Sequence, residues 1–312
     1  MISGSERGQL VALTGATGHV GGAIARGLAN SGYRLRVLAR APGRLPPKLD
    51  AEVVTGDLLD AGVLDALVAG VDAVVHCAGV TRGATQAHFD AVNVTGTVRL
   101  AHRVVARGNA PFLLISSLAA RVPQVSAYAR SKRSAEDLLK RTPGLQWAAM
   151  RPPAVYGPGG QELLGLLRWM ARGWFFVPGD PDSRFSLIHE DDVATAVGAW
   201  LANPEFTGPF DVDDHHADGY SWKEFSQIAE KVFARRIRVV QPPGLLLDVP
   251  AAVSQFWGRC WGTSPALTPD KLRQLRFPDW VCDDRRFSEQ TGWRPAIGLE
   301  QGLDALRGDL KS

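Results

Sequence analysis

The most constraining feature of this chain lies near its start. Glycines at 15, 18 and 21, in Thr14-Gly-Ala-Thr-Gly-His-Val-Gly21, stand between the apolar run Leu10–Thr14 and a helical pattern over Val20–Ala29. Such spacing serves a strand that turns sharply into a helix around an anion. Gly15 permits the tight turn, Gly18 lets backbone approach a pyrophosphate, and Gly21 lets the helix pack closely on the strand. The helix opening at Thr17, Gly18, His19 and Val20 then offers N–H groups without helical partners, and the positive end of its dipole, to a phosphate. The expectation is a dinucleotide-binding crossover.

The following residues repeat the strand–helix alternation. Strands are expected at Arg34–Ala39, Glu52–Thr55, Ala73–His76, Pro111–Ser116 and Gln146–Arg151, with helices over Phe89–Arg107 and Tyr128–Lys140. This predicts an α/β fold, a Rossmann-like doubly wound parallel sheet with helices on both faces. Beyond Pro152 the pattern loosens, with Pro/Gly punctuation at 157–160, 178–181, 208–209 and 242–244. We expect an NADP-binding domain over 1–177, with a strand or two returning from about 184–213. A smaller mixed α/β substrate-binding domain is expected over 178–312.

The second expected strand ends in Arg40. An acidic residue there would bind a ribose 2′-hydroxyl and repel a 2′-phosphate, whereas a guanidinium offers a phosphate a two-pronged donor. Arg44, one helical turn on, adds charge, so NADPH is the expected cofactor. Arg36 crowds the same stretch. Asp57 and Leu58, after the third strand, suit the adenine. Cys77, Ala78 and Gly79 end the fourth strand with small residues that let the cofactor pass close to the backbone.

Tyr128-Ala-Arg-Ser-Lys132 places a phenol and an amine one helical turn apart. Bringing a tyrosine from a pKa near 10 toward 7 takes about 4 kcal/mol, and a neighbouring ammonium is the kind of group that supplies it. Tyr128 would then donate a proton to a carbonyl oxygen during reduction. Ser117, at the end of the fifth strand, would hydrogen-bond that same oxygen. Asn93 would hold a backbone carbonyl and a water serving Lys132.

Taken together, Thr14–Gly21, Asp57, His76–Gly79, Asn93–Thr97, Ser116-Ser117, Tyr128–Lys132, Arg151-Pro-Pro-Ala-Val-Tyr-Gly-Pro158 and Phe185–Asp192 resemble the motif series of the extended short-chain dehydrogenase/reductases, the NAD-dependent epimerase/dehydratase-like group. The resemblance runs from about residue 10 to 300. It implies a nicotinamide cofactor and a Ser117–Tyr128–Lys132 site supported by Asn93, with Pro152 and Val155 beside the cofactor. Dehydratases of this family follow the catalytic hydroxyl with Asp-Glu, where this chain has Leu118-Ala119. Its epimerases usually carry Asn in the Arg-x-x-Asn stretch, where this chain has Ala154. Both departures count against a nucleotide-sugar substrate. Ser116–Ala120 and Leu272–Asp283 are similar to a branch holding bacterial ceramide reductases and an accessory subunit of respiratory complex I, with steroid 3β-hydroxy dehydrogenases further off.

The C-terminal part reads as greasy. Five of nine tryptophans (Trp222, Trp257, Trp261, Trp280, Trp293) follow residue 220, and Leu246, Val249, Val253 and Phe256/Trp257 recur at helical spacing. Such a helix would line a lipid pocket, rest on a membrane interface, or simply pack; Pro250 suits only its first turn. His215-His216 with Asp211, Asp213 and Asp214 is read as a solvated loop, His189 as a structural hydrogen-bonding residue, and no metal is expected. Arg235, Arg236 and Arg238 form a basic cluster that could meet lipid phosphates and is read first as a solvated face.

A net charge of +3 is too small and too dispersed for a nucleic-acid footprint. Cys77, Cys260 and Cys282 make neither a disulfide framework nor a CxxC metal pattern. With a polar Met1–Gln9 lacking a signal-peptide core, this suits a cytoplasmic protein. Contact with the inner membrane and a homodimer are left open. The expected activity is NADPH-dependent reduction of a ketone on an apolar, lipid-like substrate, such as a 3-oxo-sphingolipid or a steroid-like ketone. The alternatives are a non-catalytic NADPH-binding accessory subunit and, last, a nucleotide-sugar epimerase.

Overall fold

The computed structural model describes residues 8–83, 85–261 and 267–308, without the side chains of 161–162 and 258–261. The expectations for Met1–Arg7 and for the side chains of Cys260 and Trp261 therefore lie outside the described residues. Six strands open the chain: β1 (Leu10–Thr14), β2 (Arg34–Ala39), β3 (Glu52–Thr55), β4 (Ala73–His76), β5 (Phe112–Ile115) and β6 (Trp147–Arg151). Shorter ones follow: β7 (Ala154–Tyr156), β8 (Trp174–Phe176), β9 (Arg184–Phe185), β10 (Leu187–His189), β11 (Gly208–Asp211), β12 (Tyr220–Ser221), β13 (Arg238–Val240) and β14 (Asp279–Trp280).

The main sheet is parallel throughout, in the order β3-β2-β1-β4-β5-β6-β11. Chain direction across the sheet reverses between β1 and β4. A crevice for a ligand opens at such a reversal, outside the carboxyl ends of the strands. β1, β4 and β5 are buried along their whole length, as continuous apolar strands under helices on both faces must be.

The helices are α1 (His19–Asn30), α2 (Ala61–Val68), α3 (Gln86–Phe89), α4 (Thr97–Ala106), α5 (Ala127–Lys140), α6 (Gln161–Ala171), α7 (Glu190–Leu201), α8 (Trp222–Phe233), α9 (Gly244–Trp261), α10 (Pro269–Leu275), α11 (Arg286–Thr291) and α12 (Leu299–Ala305). α1 and α7 cover one face, where Ile24, Leu28, Val193, Val197 and Trp200 meet Val11, Leu13 and Val37. α2, α4 and α5 cover the other, with Leu64, Leu67, Leu100, Val104 and Leu139 against Ala12, Val74 and Leu114. A second core gathers Tyr156, Leu164, Leu167, Met170, Phe175, Phe185, Phe225 and Leu303.

Three expectations differ from what is observed. The helix expected over Phe89–Arg107 begins at Gln86 and widens into a π turn over Asp90–Gly96 before α4; apolar spacing does not register a single wide turn. Leu164, Leu167, Met170 and Phe175 precede residue 177 yet pack in the second core. Pro250 sits well inside α9 rather than in its first turn. It is exposed there, as is Leu246, so water can replace the helical bond that proline removes from the Leu246 carbonyl.

Candidate active site

The glycine turn closes tightly against the end of β4. Gly15 has φ +82°, and a Cβ there would lie 2.6 Å from the Ala78 nitrogen; one on Gly21 would lie 2.2 Å from the Gly15 carbonyl oxygen. Larger residues at 15 and 21 are excluded by backbone rather than by movable side chains. Gly18 is the N-cap of α1 and supplies no side-chain cap, so the first N–H groups of this twelve-residue helix remain for an anion. Thr17, His19 and Val20 are half-buried around it. The residues present thus fit a dinucleotide pyrophosphate.

Behind the turn runs a buried hydrogen-bond chain. Ala78 N–H donates to Thr14 Oγ1 at 3.1 Å, Thr14 Oγ1 lies 2.7 Å from His76 Nδ1, and His76 Nε2 lies 2.9 Å from Thr97 Oγ1. Thr97 spends its own proton on the Asn93 carbonyl at 2.7 Å. His76 must then donate from Nε2 and accept the Thr14 proton at Nδ1. Burial, aided by the Lys132 charge, pushes His76 down to about 3, which keeps it neutral as this chain requires.

His19 reaches away from the turn. Its Nε2–H donates to Glu190 Oε2 at 2.5 Å, where the carboxylate also accepts from Arg26 at 2.8 Å and from the Gly159 N–H at 3.1 Å. Glu190 is buried, yet these donors hold its carboxyl below the usual range. The His19 side chain is therefore committed, and what it leaves for a cofactor is backbone.

Ser126 caps α5, accepting from Ala129 N–H at 3.1 Å. Tyr128 is half-buried, its ring edge-to-face with Phe89 at 6.1 Å. Lys132 is buried one turn on and donates to the Ile115 carbonyl at 2.8 Å; burial holds its ammonium below the ordinary value. A Cβ on Gly79 would lie 3.5 Å from Lys132 Nζ and 3.0 Å from Asn93 Oδ1. Backbone at the end of β4 therefore lies directly over the amine. Cys77 is a thiol here, pushed by burial up to about 11.

Asn93 does not reach Lys132 with its side chain. Its amide donates to the Val80 carbonyl at 3.0 Å and to Ser131 Oγ at 2.9 Å, and accepts from Val80 N–H at 2.8 Å. Both amide protons are spent, because the π turn carries Asn93 against the segment after β4. The carbonyl it was expected to hold is that of Val80. Ser117 accepts from Ala119 N–H at 3.2 Å at the start of a short turn. Its neighbour Ser116 donates to buried Glu136 at 2.5 Å, and Glu136 pairs with Arg151. This ties β5, α5 and β6 together beneath the site.

At the outer end of the crevice the Arg40 side chain is 80% exposed, with its guanidinium 3.9 Å from the Asp57 carboxylate. Asp57 also caps its own turn, accepting from Leu59 N–H at 2.9 Å. Arg44 is exposed nearby. Arg36 is engaged elsewhere, donating to Glu52 at 2.8 Å and to the Ala69 carbonyl at 2.6 Å, so the basic crowding resolves into Arg40 and Arg44. Leu58 is half-buried against Gly96, Val155 is half-buried, and the Pro152 carbonyl accepts from Leu118 N–H at 2.9 Å.

Tyr128 faces a cleft of about 260 Å³ whose walls include Gln86, Gln124, Gln255, Thr268 and Arg273. The lining is mostly polar. Leu246, Val249, Val253, Phe256 and Trp257 are exposed on the other side of α9, so they do not line a lipid pocket. Nor is the His215-His216 segment a solvated loop. His215 lies 3.0 Å from Ser288 Oγ, His216 stacks on Tyr220 and lies 2.9 Å from Glu224, and buried Asp213 pairs with Arg285. His189 caps α7, accepting from Asp191 N–H at 3.2 Å. Glu190 and Glu136 are the residues that motif reading passed over; each stands inside a quoted motif or beside one, but its partner is remote in sequence.

Residues 11–212 match the model of the NAD dependent epimerase/dehydratase family. The chain belongs to that family. Over 296 residues it is 37% identical to a ceramide reductase of Caulobacter vibrioides, covering 94% of this chain and 92% of that one. It is 28% identical to a 2-alkyl-3-oxoalkanoate reductase of Stenotrophomonas maltophilia, covering 95% and 98%. RMD from Pseudomonas aeruginosa, solved in complex with NADPH, shares the fold at TM-score 0.70 and 23% identity, covering 98% and 99%. This family member is an oxidoreductase of the NAD(P)-dependent kind.

Proposed function

We propose that this epimerase/dehydratase-family protein is an NADPH-dependent reductase of a ketone carried on an amphiphilic, lipid-like substrate. The observation that carries this reading is the placement of Tyr128 at the mouth of a polar cleft, one turn from a buried lysine. The glycine turn and the α1 N-terminus would hold the pyrophosphate, and Arg40 with Arg44 the 2′-phosphate. A bound reduced nicotinamide supplies the hydride. The chain supplies the proton: Tyr128 Oη gives it to the ketone oxygen, and Ser117 hydrogen-bonds that oxygen. Lys132 favours the phenolate left behind, because a fixed positive charge in a low-dielectric site stabilises a nearby anion. Asn93 positions the backbone over Lys132 through Val80.

The relatives support a ketone reductase, and the glutamine- and threonine-lined cleft suits the hydroxyl and amide groups of a lipid head. The test is NADPH oxidation by purified protein with 3-oxo lipids. Turnover that falls at least a hundredfold in Tyr128→Phe, with cofactor affinity retained, supports the reading. Tight NADPH retention with no turnover on any ketone overturns it in favour of an accessory subunit.

A further inference from the structure

The helix α9 is inverted relative to a core helix. Leu245, Leu246, Val249, Val253, Phe256 and Trp257 are 50–76% exposed. At about 100° per residue they share one arc about 120° wide. The opposite side carries buried Ala251 and Gln255, which lines the cleft at Tyr128. From Gly244 to Trp257 the sole charged residue is Asp248. Arg276 takes it up at 2.7 Å while donating to the Pro178 carbonyl at 2.9 Å, which ties α9 to the end of β8.

The adjoining β8–β13 ribbon has the same chemistry. Trp174, Phe176 and Val239 on it, and Trp169 on the preceding α6, are 40–51% exposed, with Arg172 at the α6 C-terminus 5.9 Å from the Trp169 ring and Arg238 5.5 Å from the Trp174 ring. Residues 168–176 and 231–240 hold six basic residues and no acidic one. A second copy of this chain docked here about a two-fold axis would set arginine against arginine. An anionic lipid surface offers a partner to each of these groups: phosphates for guanidiniums, the headgroup level for indoles, the acyl boundary for aliphatic side chains.

We propose that the outer face of α9 and the β8–β13 ribbon dock this protein on an anionic bilayer. Docking stands apart from the catalytic reading; one consequence rests on it. A cleft of about 260 Å³ is smaller than the roughly 300–1,000 Å³ that encloses a whole small ligand. With α9 as its wall, the cleft takes the polar head of an amphiphile while the chains stay in the membrane.

The test is co-sedimentation of the full chain, without substrate, with vesicles of phosphatidylglycerol and phosphatidylcholine or of phosphatidylcholine alone. Binding is expected to the anionic vesicles and to weaken with salt. It should fall about tenfold or more in Leu246→Glu/Phe256→Glu and in Arg172→Glu/Arg236→Glu, with melting temperature and NADPH affinity unchanged. Absence of binding to anionic vesicles, or binding indifferent to both variants, overturns the proposal. So does a dimer in light scattering that Leu246→Glu/Phe256→Glu dissociates, which would give the face to a second copy. Since no turnover is read, each of these failures leaves the reductase reading standing.

Discussion

His19 and Glu190 are 171 residues apart in sequence and 2.5 Å apart in space, joining the first turn of α1 to the first turn of α7. Arg26 and the Gly159 N–H complete the shell around the buried carboxylate. Three separate segments that frame the phosphate end of the crevice therefore depend on one side chain. Glu190→Ala leaves the His19 and Gly159 N–H groups without their acceptor, while Arg26 can turn to water, and stranding part-buried donors costs about 1–3 kcal/mol. We expect a lower unfolding midpoint in urea and NADPH binding weakened about tenfold. Because its partners depress the Glu190 pKa, this stabilisation is present above the ordinary glutamate value of 4.5 and is lost as pH falls through the lower folded value.

Lys132 illustrates a cost accepted for position. Its amine is buried and bonded to the Ile115 carbonyl, and burial opposes its charge. A lysine with a depressed folded pKa destabilises the fold at neutral pH, and that penalty fades only as pH rises toward 10.5. Lys132→Met should therefore be at least as stable as the parent at pH 7 while turnover falls a hundredfold or more. Thermal melts and NADPH oxidation on the same preparation check both halves.

The local parts of this architecture were legible and the remote parts were not. Leu10–Thr14, Arg34–Ala39, Glu52–Thr55 and Ala73–His76 fall where their apolar runs and bounding turns put them, because short strands and glycine turns are decided by neighbours in sequence. The apolar repeat from Leu246 to Trp257 announced a helix, but whether its stripe faces a cleft or water depends on what packs opposite, and periodicity does not carry that. That Asn93 holds a backbone carbonyl is legible, but that the carbonyl is that of Val80 follows from a π turn that spacing arguments pass over. The His215-His216 turn looked solvated because its partners, Ser288 and Arg285, arrive from a segment some seventy residues on.

Arg40 bears on cofactor choice in a way that a swap of charge reads out. Its guanidinium is exposed at the end of β2 and only loosely associated with Asp57 at 3.9 Å, so a dianionic 2′-phosphate can recruit it. Arg40→Asp should weaken NADPH binding by about a hundredfold, from a lost charge-assisted pair and a new repulsion. NADH binding should change by less than about threefold. Fluorescence titrations with the two cofactors decide it; equal losses would assign Arg40 to the surface alone.

Asp211, at the end of β11, is buried with its nearest cation, Arg121, 3.6 Å away. Burial pushes it up to about 6 from 3.8, against the pull of Arg121 and Arg151. A carboxyl whose folded pKa exceeds its unfolded value binds protons more tightly when folded, so stability from this group is lost as pH rises from about 4 to about 6 and stays lost above. The shift of about 2 units corresponds to at most roughly 3 kcal/mol. Asp211→Asn should match the parent near pH 4, gain on it through pH 6, and hold a constant advantage at pH 7 and 8. His76, pushed down to about 3, has the opposite slope below 6.5 and is common to both proteins. Only the difference between the two urea-unfolding free energies isolates Asp211; a difference that does not change with pH would mean that this carboxylate titrates normally in the folded protein.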